Sequence, residues 1–185
     1  MKLQSVITLA AFILLINFSN KSFSQTELSD WNQKPALHTI DKKYSEESAV
    51  VLEDARVHQY KLDKDNMFVY CEQKRIVKVN NDKGVEMFNK IYIHYRNGGE
   101  VVKIKARAIL PSGKVINLPE EKIFNEEENG MTYKKFALEG VEKGGEIEYY
   151  SLIKYPVYTF GMETYTFNQT PIIKASFSLK IPSHL

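Results

Sequence analysis

The sequence predicts an all-β chain folded as an antiparallel β-sandwich of about eight or nine strands. Short runs of alternating apolar and polar residues recur along it, Gly, Asn and Pro turns separate them at regular spacing, and no long stretch shows a helical period. The plainest case is 136–155. Phe136, Ala137 and Leu138 close one apolar run, Gly140, Gly144 and Gly145 allow a reversal, and Ile147 to Tyr155 alternate again. Ile147, Tyr149, Ser151, Ile153 and Tyr155 share one face, while Glu146, Glu148, Tyr150, Leu152 and Lys154 share the other. That period of two predicts a half-buried strand.

Ahead of the sandwich stands a signal helix. Lys2 gives a basic start, Val6 to Ile16 is an apolar run broken only by Thr8, and Ser22-Phe23-Ser24 is a small-x-small site. The run is shorter than the roughly twenty residues a bilayer requires, so a cleavable signal peptide over 1–24 is expected, with an uncleaved anchor as the alternative. No cysteine follows the run, which argues against a lipid anchor. Cleavage removes Lys2 and Lys21 and leaves the basic side chains equal in number to the 23 acidic ones. A neutral chain argues against nucleic acid or an anionic membrane as partner. A remainder of about 160 residues can bury enough surface for one core without staples. Cys71 stands alone and forms no internal disulfide.

Residues 25–45 read as a polar lead-in with Trp31, Pro35 and Leu37 as apolar anchors and a helical turn near Ser29 to Gln33. Residues 46–185 form the β-domain. Ala49 to Leu52 and Ala55 to Tyr60 read as two strands parted by Glu53-Asp54, and Asp63 to Asn66 as a turn. Met67 to Val79 is a long strand with Met67, Val69, Cys71, Val77 and Val79 inward; Gln73 and Arg75 break the pattern, which suggests a bulge or a twist there. Asn80 to Gly84 is a turn, Ile91 to Tyr95 a strand, and Asn97-Gly98-Gly99 its end. Val102, Ile104, Ala106, Ala108 and Leu110 then face one way and Lys103, Lys105 and Arg107 the other, before a hairpin through Pro111 to Lys114 into Val115 to Leu118. Glu120 to Gly130 is acidic and irregular with a helical turn near Pro119 to Ile123. Met131 to Leu138 opens the stretch described first. Ile173, Ala175, Phe177, Leu179 and Ile181 form a last alternating strand, stopped by Pro182.

No catalytic constellation is legible. A nucleophilic cysteine requires a neighbouring histidine, commonly at a helix N-terminus, whereas Cys71 lies mid-strand and reads as a buried structural thiol. His38, His58, His94 and His184 lack the close pairing of a metal site, and His94 reads as a surface residue. Glu126 to Glu128 reads as a solvated loop without the alternating oxygens of a calcium loop. No metal and no cofactor are expected. Tyr155, Tyr158, Phe160, Tyr165 and Phe167 are either core and loop filling or a platform for sugar rings or a partner's apolar side chains.

In order and spacing, LPSGKV at Leu110 to Val115, FALEGVEKGGEIEY at Phe136 to Tyr149, FNQTPI at Phe167 to Ile172 and the closing Ile181-Pro182 resemble domain of unknown function 3857. Ala49 to Leu52 and Lys74 to Val77 with Gly84 fit the same pattern, and the likeness runs over 46–185. The resemblance implies an immunoglobulin-like sandwich in exported bacterial proteins, standing before a transglutaminase-like, papain-fold domain. It carries over no catalytic residue. The resulting expectation is a non-catalytic accessory or interaction domain, periplasmic or extracellular in a Gram-negative bacterium and outside the membrane after signal cleavage. Its partner would be a transglutaminase-like peptidase or amidase domain, in cis or in trans, or another exported protein. The alternatives are a glycan-binding module using Tyr158, Phe160, Tyr165 and Phe167, or strand addition at an exposed sheet edge.

Overall fold

The computed structural model describes residues 31, 34–157 and 170–183. Among these residues nine strands are formed: β1 (Ala49–Asp63), β2 (Asn66–Val79), β3 (Lys90–Tyr95), β4 (Glu100–Ile109), β5 (Val115–Asn117), β6 (Phe124–Glu128), β7 (Met131–Ala137), β8 (Glu146–Pro156) and β9 (Ala175–Lys180). They build a six-stranded sheet in the order β5-β4-β8-β2-β1-β9 and a three-stranded sheet in the order β3-β7-β6. Every pairing is antiparallel except that of β9, which runs parallel to β1. The two layers make an all-β sandwich.

The core lies between the sheets. From the large sheet it takes Val51, Val69, Val77, Val79, Ala106, Ile147, Tyr149 and Ile153, and from the small one Ile91, Ile93 and Phe136. Those from β2, β3 and β8 are all odd-numbered, as a period of two requires. Each fully buried side chain of this size contributes about 1.5–3 kcal/mol.

Several expectations are corrected. The acidic pair Glu53-Asp54 does not interrupt β1; the ladder with β2 continues past it, with a bulge between Val51 and Glu53. Of the bulge or twist expected in β2, the bulge is in its partner instead, and β2 itself runs in unbroken register with β8. A second bulge, between Val101 and Lys103, places Val101 inward and leaves Val102 exposed. Glu126 to Glu128 belong to β6, not to a loop. They pair with β7 through an Asn129-Gly130 turn in which both residues have positive φ, the geometry a tight hairpin demands. The turn expected at 80–84 instead opens a short helix, α1 (Asp82–Phe88), capped by the Asn81 side chain, which accepts from the Gly84 N–H at 3.1 Å.

β8 is not half-buried. It lies at the centre of the large sheet, and Glu146, Glu148, Tyr150 and Leu152 on its outer face are as buried as its inner residues. Part of the cover is the lead-in. His38 donates its N–H to Glu146 at 2.6 Å, its Nδ1 lies 2.8 Å from the same carboxylate, and Lys78 bonds that group at 3.3 Å. Arg107, expected to point to solvent, is buried. It grips Glu148 at 2.6 Å through Nε and Nη2, lies 4.3 Å from the Trp31 ring centroid and donates to the Trp31 carbonyl. Outward lysines and an outward arginine share a stripe, but the stripe is capped where the arginine stands. Among the described residues no helix is long and apolar enough to cross a membrane.

Candidate functional site

Three strands cannot cover six. Beside β3, an edge strand of the small sheet, the inner face of β1, β2 and β8 opens into a cleft of about 440 Å³. Arg56 and His58 of β1, Cys71, Gln73 and Arg75 of β2, and Tyr149 and Ser151 of β8 form its floor. Tyr92, Ile93 and His94 of β3, followed by Arg96, form one rim.

The polar floor follows from the bulge in β1. The extra residue Leu52 inverts the parity of the strand, so that Asp54 pairs with Arg75 and turns inward with it. Asp54 is 1% exposed. Arg56 donates to both of its oxygens at 3.2 Å, Gln73 donates at 3.1 Å, and Arg75 Nε stands 3.7 Å away. One carboxylate thus faces two guanidinium groups, and the first holds it by a two-pronged, charge-assisted pair. Arg75 is left with long contacts. Its Nη1 reaches the Tyr149 hydroxyl at 3.4 Å, and its buried Nε has no hydrogen-bond partner. Burial pushes the Tyr149 hydroxyl above its ordinary range, with Arg75 pulling partly back, so the phenol stays neutral. Among the described residues three arginines and two histidines line the cleft against one carboxylate, Glu72.

Cys71 is partly exposed, packs against the core and lines this cleft. Sequence reasoning buried it and missed its neighbour: His58 stands directly opposite in the β1–β2 ladder, its ring edge-on to Phe177 with centroids 5.2 Å apart. The signal was available only through the hairpin register, since the two residues are joined by the turn at Lys64-Asp65. His94 is exposed, as expected, and tilts against Tyr133 at the rim. Among the described residues no group of three or more His, Cys, Asp or Glu is placed to hold a metal. Tyr158, Phe160, Tyr165 and Phe167, the residues of the glycan reading, lie outside the described residues, as do His184 and the segment 1–24. Tyr155, the first of that aromatic run, belongs to the core, with Arg96 stacked 4.6 Å from its centroid.

The family model for a domain of unknown function with a solved structure, DUF3857, matches residues 68–185. Among solved structures, a candidate protease from Parabacteroides distasonis superposes with a TM-score of 0.51 at 14% identity, over 60% of this chain and 24% of that one. The chain therefore spans about a quarter of that protein's length, and the likeness is one of fold. No curated protein matches the chain.

Proposed function

Because the chain belongs to the family of domain of unknown function 3857, we propose that it is an exported, non-catalytic β-sandwich serving as an accessory and interaction domain. Its partner is a transglutaminase-like, papain-fold peptidase or amidase domain, in cis or in trans. Export rests on the signal-like pattern of residues 1–24. A protease partner is supported by the Parabacteroides distasonis candidate protease, whose match to this chain takes up 24% of its length.

The observation that carries the non-catalytic part is the setting of Cys71. A thiolate that attacks a carbonyl requires free N–H donors nearby to hold the oxyanion. Cys71 lies in the middle of β2, which is paired on one side with β1 and on the other with β8. Its neighbouring backbone N–H groups are spent on those ladders, and the α-helix among the described residues, α1, begins only beyond the Val79 end of the strand. His58, opposite in the ladder, is a base that the described residues do not complete into a triad.

Hydrolysis and acyl transfer across peptide and amide substrates test the proposal. The chain is expected to show neither. Turnover that disappears in Cys71→Ser would overturn it.

A further inference from the structure

We propose that the edge of β3 left unpaired among the described residues, together with the cleft beside it, takes up an extended segment of a partner chain that carries a carboxylate residue flanked at alternate positions by apolar ones. The proposal rests on the reading of the chain as an interaction domain and names the segment it binds.

The first argument is the backbone. Among the described residues β3 pairs only with β7. Leu138 N–H donates to the Asn89 carbonyl, and these two stand opposite each other in continuation of the ladder. By antiparallel alternation Ile91, Ile93 and Tyr95 bond to β7, while Lys90, Tyr92 and His94 turn their N–H and C=O groups toward the open side. That side is the cleft, which Tyr92 and His94 line. A fourth strand would fit there at the ordinary strand spacing of about 4.8 Å, closing the small sheet over β1 and β9.

The second argument is charge. The inward side chains of such a strand would hang over Arg75. That guanidinium has only long contacts to Asp54 and the Tyr149 hydroxyl, and Asp54 is already held by Arg56 and Gln73. A carboxylate from above would give Arg75 a closer counter-ion than Asp54, which it shares with Arg56 and meets only at 3.7 Å, and Arg96 at the rim adds to the field. The third argument is the far wall. Phe177 and Leu179 of β9 are 42% and 51% exposed, and Phe177 meets His58 at the edge of the cleft. Apolar residues two positions from the carboxylate would cover them.

The test uses the full chain and the capped heptapeptide TVTETVT, in which valine, glutamate and valine share one face. Fluorescence anisotropy of a labelled peptide is expected to show saturable binding by about 1 mM. Replacing the glutamate by lysine should weaken it at least about tenfold, as should Arg75→Gln. Arg96→Gln, at an exposed residue that leaves the fold intact, should weaken it by a smaller factor and reduce its salt dependence. N-methylation of alternate amides on one edge of the peptide should abolish binding, and on the other edge should be tolerated. Equal binding of the lysine peptide, indifference to N-methylation on both edges, or no binding would overturn the site. Self-association of the chain in competition with the peptide would overturn the assignment to a different partner. Cleavage of the bound peptide, read by mass spectrometry, would overturn the non-catalytic reading while leaving the site standing.

Discussion

Asp54 faces inward because Leu52 is left out of the ladder, and two arginines gather on the cleft floor because Asp54 is there. A single inserted residue thus sets the chemistry of the site. Gly84 shows the same economy by omission. A Cβ built at this position would lie 2.0 Å from the Ser48 carbonyl oxygen and 2.9 Å from its carbon, where α1 meets the start of β1. Alanine would gain about 1 kcal/mol in helix propensity. Backbone atoms cannot yield by an ångström or more at that price, so Gly84→Ala is expected to destabilise the chain by about 3 kcal/mol. Urea denaturation checks it, and a loss below about 0.5 kcal/mol would show that α1 can lift away.

At the scale of elements, β4 and β8 carry their charges into the interior of the outer face. Arg107 and Glu148 are opposed in register and form a paired contact at 2.6 Å, both buried, with Lys74 3.3 Å from the same carboxylate. Removing one partner of such a pair strands a buried charge, whereas replacing both by apolar groups does not. Arg107→Ala is therefore expected to lower stability by about 3 kcal/mol, and Arg107→Leu combined with Glu148→Met to recover most of that loss, again by urea denaturation. The pair also explains what the sequence concealed. Alternation in β8 was legible from Ile147 to Tyr155 and gave the inner face correctly, because the core there is apolar. Its outer set, Glu146, Glu148, Tyr150, Leu152 and Lys154, reads as solvent-facing because periodicity cannot register an ion pair formed across strands. The 126–128 strand was hidden in the same way. Three glutamates oppose strand formation locally, yet Glu126 meets Lys135 at 2.6 Å across the hairpin and the Asn129-Gly130 turn fixes the pairing.

For the whole molecule, the sandwich was legible because turns and alternation are local signals, whereas the strand total agrees because a split β1 offsets the missed β6. How strands were shared between layers was not legible. A division of six against three depends on which edges pair, and the cleft exists only because of that division. His58 and Cys71, Asp54 and Arg75 meet there through register and a bulge, neither of which a residue pattern displays. The exposed alternation of β9, with Phe177 and Leu179 uncovered, reads in the sequence like any buried strand. In the folded chain it marks the place where, among the described residues, the second layer stops.

Amide hydrogen exchange of the free chain tests this division most directly. If β3 is an open edge, the amides of Tyr92 and His94 will exchange at least about a hundredfold faster than those of Ile91 and Ile93, while the β8 amides from Ile147 to Ile153 exchange slowest of all. Uniform protection along β3, with Tyr92 and His94 as slow as their neighbours, would mean that the edge is already paired and would contradict the account.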